Sequence, residues 1–134
     1  MNLQSNRVLI VDDYRDAADT TADVCRMSGD YEVKTAYNGE EAVALARTFR
    51  PGVVVLDVNM PVMNGYVAAR MLRDEQAPDA KLLLVALTGR NDPEDTELAA
   101  AAGFDHHFIK PLMNLDLFEV IASFFANTKA PATP

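Results

Sequence analysis

Three carboxylates, a hydroxyl and an amine follow short apolar runs in this chain, and all suit the handling of a charged oxyanion. Asp12 and Asp13 follow VLIV, Asp57 follows VVVL, Thr88 follows LLLVAL and Lys110 follows HFI. Taken singly, each has an ordinary explanation. An Asp pair caps a helix, Asp57 caps a turn before Pro61, Thr88-Gly89 makes a plain turn, and Lys110 is a solvated lysine before Pro111. Taken together they require another. If the apolar runs are neighbouring parallel strands, these side chains gather at one sheet edge, outside the carboxyl ends of the strands, where open α/β sheets bind ligands. Three carboxylates crowded there repel one another unless something offsets their charge.

A hard cation offsets it. Carboxylate oxygens with few other protein ligands suit Mg²⁺, or Mn²⁺, better than a full calcium cage. In this reading Asp13 and Asp57 are direct ligands, and Asp12 reaches the ion directly or through water. The cation and Lys110 then neutralise an incoming phosphoryl group, leaving Asp57 free to attack phosphorus as a carboxylate nucleophile. Thr88 donates a hydroxyl hydrogen bond to a phosphoryl oxygen. Phosphoryl transfer depends mainly on positioning and electrostatic stabilisation, and this set supplies both.

The elements that must position these residues are legible from periodicity. Candidate strands are Val8–Val11, Glu32–Ala36, Val53–Asp57, Leu82–Thr88 and His107–Ile109. Three are almost continuous Val, Ile and Leu, as expected of strands covered on both faces. Helical patterns begin near Arg15, Gly39, Gly65, Pro93 and Leu115. Asn38 stands as a cap with an acid, Glu41, at the third helical position. Asp92-Pro93-Glu94-Asp95 offers another cap, a first-turn proline and charge at the dipole's positive end. Gly29 and Gly103 fall where helix C-termini want a positive φ. Five strand–helix units predict a three-layer, doubly wound α/β domain over residues 1–127, with 128–134 as a flexible tail.

Composition narrows the partners. The chain has 134 residues, 49% hydrophobic and 24% charged, enough for one domain with a real core. Twelve Lys and Arg stand against 20 Asp and Glu, a net charge of −8, which argues against nucleic acid and against anionic lipid. Cys25 is the one cysteine, so neither an internal disulfide nor a cysteine-based zinc site is expected. Met1 to Asn6 is polar and the apolar runs are too short to span a bilayer, so a soluble cytoplasmic protein is expected.

The motifs VLIVDD (Val8 to Asp13), VVVLDVNMPVMNGY (Val53 to Tyr66), ALTG (Ala86 to Gly89) and IKP (Ile109 to Pro111) resemble the bacterial two-component response regulator receiver domain. The likeness runs from about Arg7 to Phe125. It implies a flavodoxin-like sheet of order 2-1-3-4-5 and a phosphorylation switch. In it, Asp57 receives a phosphoryl group from a phosphohistidine on a sensor histidine kinase or a histidine phosphotransfer protein. It also implies Mg²⁺ held by Asp13, Asp57 and the backbone carbonyl of Asn59, with Asp12 assisting, and a cis Lys110–Pro111 peptide. Thr88 moves toward the phosphoryl group and rearranges the face made by helix four, strand five and helix five, where a downstream protein docks. Asn59 and Arg90 occupy positions that tune phosphoryl lifetime. Two stretches, DYRDAADTTADV and AAGFDHHFIKPL, are similar to receiver modules of hybrid sensor kinases, so an excised module or a free single-domain regulator is expected, as monomer or weak homodimer, without DNA-binding output.

One position departs from the pattern. Family members commonly place Tyr or Phe three residues before the lysine as a ring that swings inward, and here that residue is His107. It is either a polar substitute for the switch ring or a strand-edge surface histidine. His106 and His107 are adjacent on a strand and face opposite ways, which argues against joint metal binding. Near the carboxyl end Leu117, Phe118, Ile121 and Phe125 form a core stripe; Val120 and Phe124 flank it, either packed beneath loops or partly exposed on the output face. Two rivals share the fold. A dehalogenase-like phosphohydrolase usually has a second acid two residues after its nucleophile, where this chain has Asn59. A degenerate, phosphate-independent interaction module would not need the intact set Asp12, Asp13, Asp57, Thr88 and Lys110. The expected activity is limited to self-phosphorylation and autodephosphorylation, as a signalling switch and not a metabolic enzyme.

Overall fold

The computed structural model describes residues 6–58, 65–76, 81–88, 97, 100–109 and 116–129. Five strands, β1 (Arg7–Val11), β2 (Glu32–Ala36), β3 (Val53–Asp57), β4 (Leu83–Thr88) and β5 (His106–Ile109), form one sheet in the order β2-β1-β3-β4-β5. Every pairing is parallel. Helices α1 (Arg15–Ser28), α2 (Gly39–Phe49) and α3 (Gly65–Glu75) follow the first three strands, and a C-terminal helix (Asp116–Lys129) follows the fifth. Between β4 and β5, Glu97 and residues 100–102 are helical; the cap at Asp92 to Asp95 lies outside the described residues. No described helix is long and apolar enough to cross a membrane.

The alternation of side chains along the central strands divides the interior in two. Leu9, Val11, Val54, Leu56, Leu84 and Ala86 pack against α2 and α3, with Ala42, Val43, Ala68 and Ala69. Val8, Ile10, Val53, Val55, Val85 and Leu87 pack the opposite face, with Ala18, Ala22 and Cys25 of α1 and Leu117 and Ile121 of the C-terminal helix. β3 and β4 are buried at every position, which is why they read as unbroken apolar runs. Small alanines on the helices let them approach the Val-rich sheet closely.

Local signals hold the elements in place. Asn38 accepts from the Glu41 N–H at 2.8 Å, and Glu41 reaches back to the Tyr37 N–H at 2.9 Å, closing the N-terminus of α2 as its sequence predicts. Gly103 has the predicted positive φ, 102°. Gly29 does not: its φ of −176° is extended backbone open to any residue. Space matters there instead, since a Cβ would lie 2.6 Å from the Tyr31 ring. Arg73, at the end of α3, donates to the Leu82 carbonyl at 2.9 Å and pairs with Asp105 at 2.9 Å, while Asp105 also accepts from the Leu84 N–H at 2.9 Å. This junction ties the starts of β4 and β5 to α3.

Candidate functional site

Register brings the acidic residues together. β1 and β3 are neighbours with Val11 opposite Leu56, so Asp12 and Asp57 are the next residues along on adjoining strands. The Asp12 N–H extends the ladder to the Ala36 carbonyl at 3.2 Å, and Asp12 Oδ1 accepts from the Tyr14 N–H at 3.0 Å. That second bond turns the chain out of the sheet and into α1. Asp12 and Asp57 are buried, at 3% and 6% exposure, whereas Asp13 is exposed. Oxygens of all three carboxylates come within 4.8 Å of one another.

Val58 and Gly65, on the carboxyl side of Asp57, hold its backbone in place. The Val58 N–H donates to the Leu87 carbonyl at 3.0 Å, and the Gly65 N–H to the Val58 carbonyl at 3.2 Å. A Cβ on Gly65 would sit 2.6 Å from Val58 Cα and 2.7 Å from the Asp57 carbonyl oxygen. Only glycine lets α3 start directly against the end of β3. Gly65 is thus a positioning residue, where the sequence pattern marks only a helix start; a glycine at a helix's first position was the available signal.

Thr88 is fully buried and ends β4, one residue beyond the Leu87 that pairs with Asp57. Across the next gap it pairs with Ile109, the residue before Lys110. Lys110, Pro111, Asn59 and Arg90 lie outside the described residues. His107 is half-buried opposite Ala86, two residues before Thr88, while the adjacent His106 is exposed and stacks with Phe108 at 6.4 Å between ring centroids. The described site therefore unites Asp12, Asp13, Asp57 and Thr88 from three strands. Its all-oxygen carboxylate set fits a hard divalent cation of the Mg²⁺ type and offers nothing to a soft one.

Comparison with known proteins agrees with this architecture. The family model described as the response regulator receiver domain matches residues 8–122. The transcriptional regulatory protein PrrA of Mycobacterium leprae is 34% identical over 131 residues, 98% of this chain and 54% of that protein. The chain thus spans about half the length of the curated relatives it matches. The chemotaxis protein CheY4 of Vibrio cholerae superposes with a TM-score of 0.78 at 30% identity, covering 90% of this chain and 98% of that one. The receiver domain of Saccharomyces cerevisiae Ssk1, solved with the histidine phosphotransfer protein Ypd1, gives a TM-score of 0.82 at 25% identity, covering 96% and 94%. Receiver domains bind Mg²⁺ at an acidic pocket, and this chain has the corresponding acidic group. With the 2-1-3-4-5 sheet, the clustered carboxylates and the matched family model in agreement, the chain belongs to the response regulator receiver domain family of two-component systems.

Proposed function

We propose that the chain is a phosphorylation-driven switch in which Asp57 accepts a phosphoryl group from a phosphohistidine of a sensor kinase or a histidine phosphotransfer protein. The observation that carries the reading is the convergence of Asp12, Asp13 and Asp57, two of them buried, beside a buried Thr88 at the carboxyl edge of the sheet. The Ypd1–Ssk1 complex supports a phosphotransfer protein as the partner class. Mg²⁺ or Mn²⁺ would be held by Asp12, Asp13, Asp57 and the Asn59 carbonyl, and would supply charge neutralisation to the phosphoryl oxygens.

The chain's own residues do the rest. An Asp57 carboxylate oxygen forms the new P–O bond as the P–N bond to the donor imidazole breaks, and the electron pair stays on the imidazole nitrogen. Lys110 pairs with the phosphoryl charge, and the Thr88 hydroxyl donates to a phosphoryl oxygen. Asn59 and Arg90 set how quickly water removes the group. Thr88 and His107, on adjoining strands, pass the change to the flank formed by the helical residues before β5, β5 itself and the C-terminal helix, where a downstream protein reads it. We place this activity in the cytoplasm, as a signalling function without turnover of external phosphate esters.

Incubation with acetyl phosphate, followed by weighing of the intact protein, tests the reading. The expected result is one added phosphoryl group that requires Mg²⁺ or Mn²⁺, disappears with chelator and is absent from Asp57→Asn. Absence of any adduct, together with no response to a beryllofluoride mimic, would replace the switch with a phosphate-independent interaction module.

A further inference from the structure

The first turn of α1 has no cap of its own. Tyr14 occupies the N-cap position and its side chain makes no capping bond, where Ser, Thr, Asp or Asn would satisfy an orphan N–H. Arg15, the first helical residue, puts a cation at the positive end of the helix dipole, the unfavourable end. One residue outside the helix offsets both features. Tyr37, just past the end of β2, lies with its ring beneath Arg15, whose guanidinium carbon is 4.2 Å from the centroid. Its hydroxyl donates to Asp19 Oδ1 at 2.8 Å, one turn along α1, and accepts from the Thr35 hydroxyl at 3.1 Å. Its N–H donates to the Glu41 carboxylate of α2 at 2.9 Å. Ring, hydroxyl and backbone are thus each fixed, from α1, β2 and α2.

We propose that Tyr37 is a positioning residue for the acidic site and acts on Asp13. Asp13 is the exposed member of the trio, so core packing does not hold it, yet its carboxylate comes within 4.8 Å of those of Asp12 and Asp57. Two attachments to the end of β2 bracket its backbone. On one side the Asp12 N–H donates to the Ala36 carbonyl at 3.2 Å; on the other, Arg15 stacks on Tyr37, the residue after Ala36. Releasing the second attachment lets the turn sample arrangements in which Asp13 points away, and a binding cation must then restrict that freedom. The loss falls on cation affinity, as it does when a group supporting a metal ligand is removed, and not on the attack of Asp57, whose place is set from β3 and Gly65. The inference rests on the proposed cation-dependent switch and names a residue that sets its cation affinity.

The test compares the whole chain with Tyr37→Phe, which keeps the ring beneath Arg15 but loses the hydroxyl, and with Tyr37→Leu, which loses both. Ile121→Val, a truncation in the core under the C-terminal helix, controls for lost stability alone. Mg²⁺ alone is titrated, and its Kd is read from the amide shifts of Asp13 and Tyr14. Acetyl phosphate labelling of Asp57 is then followed at low and at saturating Mg²⁺. Kd should rise about three- to tenfold in Tyr37→Leu and about twofold in Tyr37→Phe, the range for one exposed cation–π contact and one hydrogen bond. It should keep the wild-type value in Ile121→Val. Labelling of the Tyr37 variants should be slow at low Mg²⁺ and return to the wild-type rate at saturation. An unchanged Kd in both Tyr37 variants, an equal rise in Ile121→Val, or slow labelling that saturating Mg²⁺ does not restore would overturn the inference and leave the switch standing. Failure of the wild type to bind Mg²⁺ would overturn both, so the two failures are distinguishable.

Discussion

At the scale of single residues, Asp12 and Asp57 are buried while Asp13 projects toward solvent, so the site holds most of its negative charge where water screens it least. Cys25 illustrates the opposite use of burial. It is packed against the sheet under α1, and desolvation raises its thiol from 9.0 to about 11. The unfolded thiol ionises first, so the stabilisation is complete below pH 9 and is lost as pH rises toward 11. Urea unfolding near pH 8 and near pH 10.5 should show wild type losing at most about 2 kcal/mol relative to Cys25→Ala across that interval. Parallel behaviour of the two proteins would contradict the assignment. The acidic trio was legible in the sequence because each member directly follows an apolar run. Its unequal burial was not, since exposure depends on how the chain leaves β1 through the Asp12–Tyr14 turn.

Among the elements, the start of α3 at Gly65 is the junction most open to test. Gly65→Ala must push its Cβ into Val58 Cα and the Asp57 carbonyl oxygen, and neither is a flexible side-chain tip that can swing aside. The variant should lose about 1–3 kcal/mol in urea unfolding, as overpacking does, and should accept phosphate from acetyl phosphate more slowly because Asp57 shifts with its backbone. Normal stability and a normal labelling rate would show that α3 does not position Asp57. Strand and helix placement was legible to within a residue at most ends: β1 starts at Arg7, one residue earlier than the apolar run, and β5 at His106. Those extra residues are polar and are recruited by pairing, Arg7 with Glu32 and His106 with Val85, which periodicity alone does not register. Gly29 departs from expectation for a related reason. A glycine after a helix signals a left-handed cap, whereas here the Tyr31 ring, tilted against Phe125 at 5.5 Å between centroids, occupies the space a side chain would need.

For the whole molecule, the sheet order was legible from the family motifs, and the two-sided core follows from the alternation within each strand. An open groove beside the C-terminal helix, lined by Phe108, Val120 and Phe124, was only half visible in the sequence. Val120 and Phe124 flank the core stripe in the sequence, but the choice between covered and open depends on Gly52 and β5, which are distant in the chain. Cation binding at the carboxylate cluster would make global stability depend on cation concentration. A cation that binds only the folded site should raise unfolding free energy by about 2.7 kcal/mol at a hundred times its Kd. That gain, read from urea midpoints with and without Mg²⁺, should vanish in Asp13→Asn, whose exposed side chain carries little of the core. A cation effect of equal size in that variant would place the binding elsewhere. The central claim is tested most directly by treating the acetyl phosphate-labelled protein with borohydride, which reduces an aspartyl phosphate to homoserine, and sequencing the peptides by mass spectrometry. Homoserine at position 57 alone is the predicted result; homoserine elsewhere, or phosphate retained on another side chain, would contradict it.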